Sequence, residues 1–190
     1  YPDTATACSM PAWLAESLES WYQKETAKAM MRAFLEERPL TVRFQESGES
    51  EAAILASLQA QGVSARRVFE GINAWELTGV DYPEALAAFQ KGQIQFQDAS
   101  SILCGEAVPL KEGDLVLDVC AAPGGKGLHC ADRLRGSGQV IMRDISGHKC
   151  AQIEENIRRS RLANVRAALW DARKPDSALE GKADVVLADL

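Results

Sequence analysis

Hydrophobic spacing divides the chain into a helical start, a middle of short strands, and a regular alternation of strand and helix. At the start, Leu14, Leu18, Trp21 and Tyr22 fall on one helical face, and Ala27, Met30, Met31, Phe34 and Leu35 make a second stripe. Two helices are predicted, the first with Ser9 as its cap and Pro11 in its first turn. Pro39 stops the second, because its ring fixes φ and removes a backbone donor. Leu40, Val42 and Phe44 then alternate with Thr41 and Arg43, the period of a half-buried strand. A short helix is predicted over 51–61, with Ile54, Leu55 and Leu58 inward and Gly62 as its stop, and strands follow at 65–69, 74–77 and 93–97.

The pattern weakens over 101–113, around Pro109, and a domain boundary is expected there. Beyond it, apolar runs at 115–120, 139–144, 165–170 and 183–189 are separated by helical stretches at 125–134 and 147–162. In the last of these, Cys150, Ile153 and Ile157 share a face, with Glu154, Glu155, Arg158 and Arg159 elsewhere. Strand alternating with helix predicts a parallel sheet with right-handed crossovers. The expected architecture is α/β in three parts: helices over 1–38, a small α+β domain over 39–110, and an open parallel sheet over 111–190.

Composition narrows the class. At 46% hydrophobic and 25% charged, the 190 residues are neither a disordered nor a collagen-like chain. No apolar run approaches the roughly 20 residues of a membrane span, and the first nine residues lack a signal pattern. Cys8, Cys104, Cys120, Cys130 and Cys150 are odd in number and lack CxxC spacing, so a reducing cytoplasm is expected. Cys104, Cys130 and Cys150 read as small packed side chains. His129 and His148 make no ligand cluster, and no metal is expected.

Charge is uneven. Residues 1–110 carry 8 basic and 15 acidic side chains, and residues 111–190 carry 13 and 12. A net charge of −6 opposes nonspecific nucleic-acid binding, so any such role needs a local patch. Arg158, Arg159, Arg161, Arg166, Arg173 and Lys174 form a basic cluster, read here as solvated surface near a helix end. Trp13, Trp21, Trp75 and Trp170 sit in apolar patterns and are expected in the core.

The chemistry concentrates in LVLDVCAAPGGK, residues 115–126, a buried strand breaking into a small-residue turn that opens a helix. Gly124 and Gly125 let a ligand approach the backbone, and free N–H groups at the helix start favour an anionic group. Asp144 ends the next strand, twenty residues beyond Gly124, where a carboxylate can accept hydrogen bonds from ribose hydroxyls. A nucleoside-containing cofactor is implied. A P-loop would need Gly at 120 and Ser or Thr at 127, where the chain has Cys120 and Gly127, and the GxGxxG fingerprint is absent.

The stretch DVCAAPGGK at 118–126 resembles the S-adenosylmethionine loop of the Sun (RsmB-like) family of RNA cytosine-5 methyltransferases, DxCAAPGGK followed usually by Thr. Three more segments resemble the family in order: SMPAWL at 9–14, PLTVR at 39–43 and GQIQFQDASS at 92–101. The chain departs from the pattern at Gly127 for Thr, Gln45 for Asn, and Met142 with Arg143 where small or apolar residues are commoner.

The resemblance implies a Rossmann-like methyltransferase sheet, present as the first four of seven strands, preceded by a small RRM-like RNA-binding domain. It implies that Cys120, Ala121, Ala122, Pro123, Gly124, Gly125 and Lys126 wrap the methionine and ribose end of S-adenosyl-L-methionine. Asp144 would hold the ribose hydroxyls, Asp171 would meet the adenine amino group, and Asp189 would lie beside the methyl-transfer centre. Lys126 and Asp189 would position the target cytosine of an RNA, ribosomal or transfer.

The family's chemistry uses cysteines in a PCSG motif and in a later motif, because carbon 5 of cytosine needs a thiolate at carbon 6 to become nucleophilic. The sequence begins at Tyr1 and stops at Leu190, before any PCSG. The chain is therefore expected to be an inactive fragment whose strand 183–189 lacks a neighbour and promotes self-association. Two other readings stay open: a dinucleotide-binding oxidoreductase domain, and a noncatalytic RNA-binding module with a vestigial cofactor site.

Overall fold

A computed structural model describes residues 3–36 and 39–189. The chain forms two compact units that divide between Pro39 and Leu40. The first holds three helices where two are predicted: α1 (Thr4–Ala7), α2 (Ala12–Trp21) and α3 (Lys24–Ala33). The added turn exists because Asp3 caps it, accepting hydrogen bonds from the Thr6 N–H at 2.7 Å and the Thr6 hydroxyl at 2.9 Å. Ser9 does not cap α2. It lies at φ 49°, and Pro11 is the cap residue, with no side-chain bond.

Cys8, Ala15, Leu18, Ala27 and Met31 form this unit's core. Each ten-residue helix buries only two positions, so the ends of both stripes emerge into solvent. Trp13 and Trp21 are therefore not core residues; they are 67% and 70% exposed, and Phe34 is exposed as well. Helix α3 ends at Ala33, ahead of the predicted stop at Pro39.

The second unit contains two sheets. The first is built from β1 (Leu40–Phe44), α4 (Glu51–Ala60), β2 (Ser64–Arg67), β3 (Trp75–Thr78), a 3-10 turn at Pro83–Ala85, α5 (Ala87–Gln90) and β4 (Ile94–Phe96). Its strands are antiparallel in the order β2-β3-β1-β4, the ferredoxin-like arrangement. Ser50 caps α4, and Trp75, a core residue as predicted, stacks on Phe44 with ring centroids 4.8 Å apart.

Helix α6 (Ala99–Glu106) follows, where the spacing predicts no element. Its Asp98 cap accepts the Ser100 N–H at 2.9 Å, and it buries only Ile102 and Gly105. Cys104 on this helix is exposed rather than packed, whereas Cys130 and Cys150 are buried as expected.

The second sheet comprises β5 (Leu115–Asp118), α7 (Gly125–Arg133), β6 (Gln139–Asp144), α8 (Gly147–Ser160), β7 (Val165–Leu169) and β8 (Val185–Leu187). All pairings are parallel in the order β7-β6-β5-β8, so the strand order switches direction beside β5. Among the described residues β8 is an edge strand, and Val186 is 58% exposed.

Two side chains fasten the sheets together. Arg43 on β1 donates to Asp132 on α7 at 2.5 Å, both buried, and Asp132 also accepts the backbone N–H groups of Glu46 and Ser47 and the Ser47 hydroxyl. Arg159 on α8 reaches the carbonyls of Phe89 and Ile94, donates to Gln95 Oε1 at 2.7 Å, and lies 3.8 Å over the Phe89 ring. Arg159 thus leaves the solvated cluster expected of it, because β4 offers carbonyl acceptors to a guanidinium.

Candidate functional site

The turn after β5 sits at the carboxyl end of a parallel strand beside the switch in strand order, where open α/β sheets bind ligands. Gly124 caps α7 at φ 110°, a conformation that only glycine adopts without strain. Asp118, at the end of β5, is 2% exposed, and burial pushes its carboxyl up to about 6. Hydrogen bonds from the backbone N–H groups of Cys120 and Gly127 and the charge of Lys126 oppose that rise, while Asp189 adds to it.

A cavity of about 260 Å³ opens over this turn. Cys120, Ala121, Ala122, Pro123, Gly125, Lys126 and Asp189 line it, as does Asp118. Lys126 Nζ lies 2.6 Å from Asp189 Oδ2 and 3.1 Å from Ser101 Oγ, so the two residues expected at the transfer centre meet as an ion pair.

Asp144 and Asp171 lie outside that lining, at the ends of the neighbouring strands β6 and β7. Asp144 is buried, accepts the Ser146 N–H at 3.2 Å and has Lys149 Nζ at 3.8 Å. Arg173 donates to both oxygens of Asp171 at 2.9 Å and holds its carboxyl down at about 2.

The small sheet supplies part of the wall. Phe96 ends β4, Gln97 and Asp98 follow it, and Ser101 lies in the first turn of α6. The sequence pattern marks none of these as site residues, although 92–101 is one of the family-like segments. Nor does the motif at 118–126 by itself mark Asp118.

A larger, open cleft of about 900 Å³ lies at the amino ends of the parallel strands, near Gln139 and Asn164. Lys91, Arg135 and Arg161 line it with Glu49, Gly92 and Gly136, but its glycines open no helix at the carboxyl end of a parallel strand, so the smaller cavity is the candidate site. Among the described residues, no group of three or more His, Cys, Asp or Glu is placed to hold a metal, and no helix is long and apolar enough to cross a membrane.

Residues 106–190 match the family model of the 16S rRNA methyltransferase RsmB/F, and residues 10–79 match the ferredoxin-like domain of RsmF/B-like methyltransferases. Both stretches match domains of RsmB/F-type methyltransferases. It is 31% identical over 191 aligned residues to a probable ribosomal RNA small subunit methyltransferase B of Bacillus subtilis, covering 97% of this chain and 41% of the relative. A tRNA (cytosine(72)-C(5))-methyltransferase of Pyrococcus horikoshii is 40% identical over 105 residues, 55% of this chain and 26% of that protein. The chain therefore spans about two fifths or less of the length of these relatives.

The fold is shared with solved structures. NSun6 from Pyrococcus horikoshii, determined with SFG, superposes with a TM-score of 0.78 at 22% identity, over 95% of this chain and 70% of that one. A methyltransferase homologue from the same organism gives 0.74 at 23% identity, over 90% and 56%.

Proposed function

We propose that this chain is the methyl-donor-binding part of an RNA (cytosine-5)-methyltransferase that uses S-adenosyl-L-methionine and acts on ribosomal RNA. The observation that carries the reading is the meeting of Lys126, Asp189 and Ser101 above a glycine turn that a buried carboxyl supports from below. The residues fit the donor: the cavity is lined by the small residues Ala121, Ala122 and Gly125 and lies at the N-terminus of α7, which suits a carboxylate.

Residues 120–126 would hold the methionine and ribose end, Asp144 the ribose hydroxyls, and Asp171 the adenine amino group. Asp171 can serve while paired, because a carboxylate accepts more hydrogen bonds than Arg173 uses. Lys126 and Asp189 would position the cytosine. The bound donor supplies an electrophilic methyl group. The cytosine must be activated by a thiolate, and the chain's own thiols are badly placed for that task. Cys8, Cys130 and Cys150 are buried, burial pushes the Cys130 thiol up to about 11, Cys104 is exposed on α6 and does not line the cavity, and Cys120 belongs to the donor turn. On this reading the described residues bind the donor and supply no activating thiolate.

The longer alignment with the ribosomal RNA relative, 97% of the chain against 55%, favours ribosomal over transfer RNA. Thermal melting with S-adenosylhomocysteine and with NAD tests the donor site: at a hundredfold excess over Kd, the first ligand should add about 2.7 kcal/mol. Stabilisation by NAD alone would reverse the assignment. Tritium transfer from labelled donor to ribosomal RNA should be absent for this chain; transfer above background refutes its inactivity.

A further inference from the structure

The cavity wall carries a polar side chain that nothing in the described residues satisfies. Gln97 is 9% exposed and lines the cavity, and neither its amide oxygen nor its amide nitrogen has a hydrogen-bond partner among the described residues. Its backbone is held independently of that side chain. The Gln97 N–H donates to the Thr41 carbonyl at 3.2 Å, and the Thr41 hydroxyl donates to the Gln97 carbonyl at 2.7 Å. The amide rests against the start of α7: a Cβ built on Gly125 would lie 3.4 Å from its Cδ and 3.6 Å from its Nε2.

A buried amide without partners is destabilising, and folded proteins pair the great majority of such groups. A hydrocarbon of the same length would fill this place with less penalty. The amide's complement must therefore come from a ligand, and it must offer both an acceptor and a donor. Beside the N-terminus of α7, where negative charge is favoured, the amino-acid end of the methyl donor meets that requirement with its carboxylate and its ammonium group.

We propose that Gln97 grips the amino-acid end of the methyl donor, its NH2 group donating to the carboxylate and its carbonyl accepting from the ammonium. The inference rests on the donor-site reading above and extends it. The small antiparallel sheet, through the residue that follows β4, contributes a specificity residue to a site otherwise built on the parallel sheet.

The test is Gln97→Leu in the full chain, with Kd measured calorimetrically for S-adenosylhomocysteine, which carries the amino-acid end, and for 5′-methylthioadenosine, which lacks it. Loss of charge-assisted hydrogen bonds should weaken S-adenosylhomocysteine about tenfold or more. Binding of 5′-methylthioadenosine should be unchanged, and the ligand-free variant should melt no lower than the parent. Equal weakening of both compounds, or no change in either, overturns the assignment, and the second result would fit an amide that faces the target base. A lower melting point alongside lost affinity also overturns it. Gln97→Met repeats the comparison with an unbranched side chain. A parent chain that binds neither compound overturns the donor-site reading, and this one with it.

Discussion

The sulfur of Met142 occupies the space that a side chain at position 127 would fill. A Cβ built on Gly127 would fall well inside van der Waals contact with Met142 Sδ and Cγ, and 3.3 Å from Asp118 Oδ2. Two departures from the family-like sequence, glycine for threonine and methionine for a small residue, are therefore one packing solution. Gly127→Thr alone should destabilise the chain by about 1–3 kcal/mol through overpacking, and Met142→Ala alone by about 2–5 kcal/mol through a cavity. The double variant should recover part of both losses in urea unfolding. Strictly additive losses would mean that the two positions are independent.

Asp132 accepts four hydrogen bonds, from Arg43, Glu46 and Ser47 of the β1 end, and is fully buried. Asp132→Ala leaves the Arg43 guanidinium buried without its counter-charge, and should cost about 3–5 kcal/mol. Arg43→Met combined with Asp132→Leu should cost much less, because an apolar pair leaves no charge unpaired. Urea unfolding of the three chains checks the order.

Asp118 makes stability depend on pH. Its folded value of about 6 lies above the ordinary aspartate value near 3.8. Below about pH 4 the group is protonated in both states and carries no penalty. As the pH rises towards 6 the unfolded chain releases the proton first, so stability falls, by about 3 kcal/mol once the folded group has also ionised. Asp118→Asn should remove that decline, gaining on the parent at pH 7.5 and matching it more closely at pH 4. Parallel stability curves for the two chains would show that Asp118 is not the source.

Arg159 and Arg158 are neighbours with different duties. Arg158 is exposed, whereas Arg159 is bound to β4 and the Phe89 ring. Arg159→Ala should lower stability by about 1–2 kcal/mol. Arg158→Ala and Arg166→Ala should leave stability unchanged, and each should reduce the salt dependence of RNA binding by about 0.7 in log–log slope if it meets a phosphate. Filter binding over a salt series separates the two kinds of arginine.

Edge strand β8 presents Val186 to solvent. An exposed strand edge pairs readily with another copy, and Lys blunts such edges. The chain should therefore self-associate in sedimentation experiments, and Val186→Lys should shift it towards monomer. Monomeric parent chain at high concentration would refute the proposed pairing.

What could be read along the chain was what neighbouring residues decide. Strand 139–144 and the starts of the helices at 51, 125 and 147 follow from hydrophobic period, caps and glycine turns, which act within a few residues. The run DVCAAPGGK likewise carried its turn, its helix start and its ligand class. Helix α6 is not legible in the pattern because Ala99, Ser100, Ser101 and Gly105 make no apolar stripe, and the helix depends on its Asp98 cap and on packing against α7. The exposure of Trp13 and Trp21 departs from the pattern because a period tells which face is apolar, not how much of it is covered.

Only the tertiary structure could bring Ser101 to Lys126, Gln97 to Gly125, or Arg43 to Asp132 across 89 residues. Such pairs join side chains whose separation in sequence carries no period. Their geometry is set by sheet pairing, as when Thr41 clamps the backbone of Gln97, and it arises only once both sheets have formed.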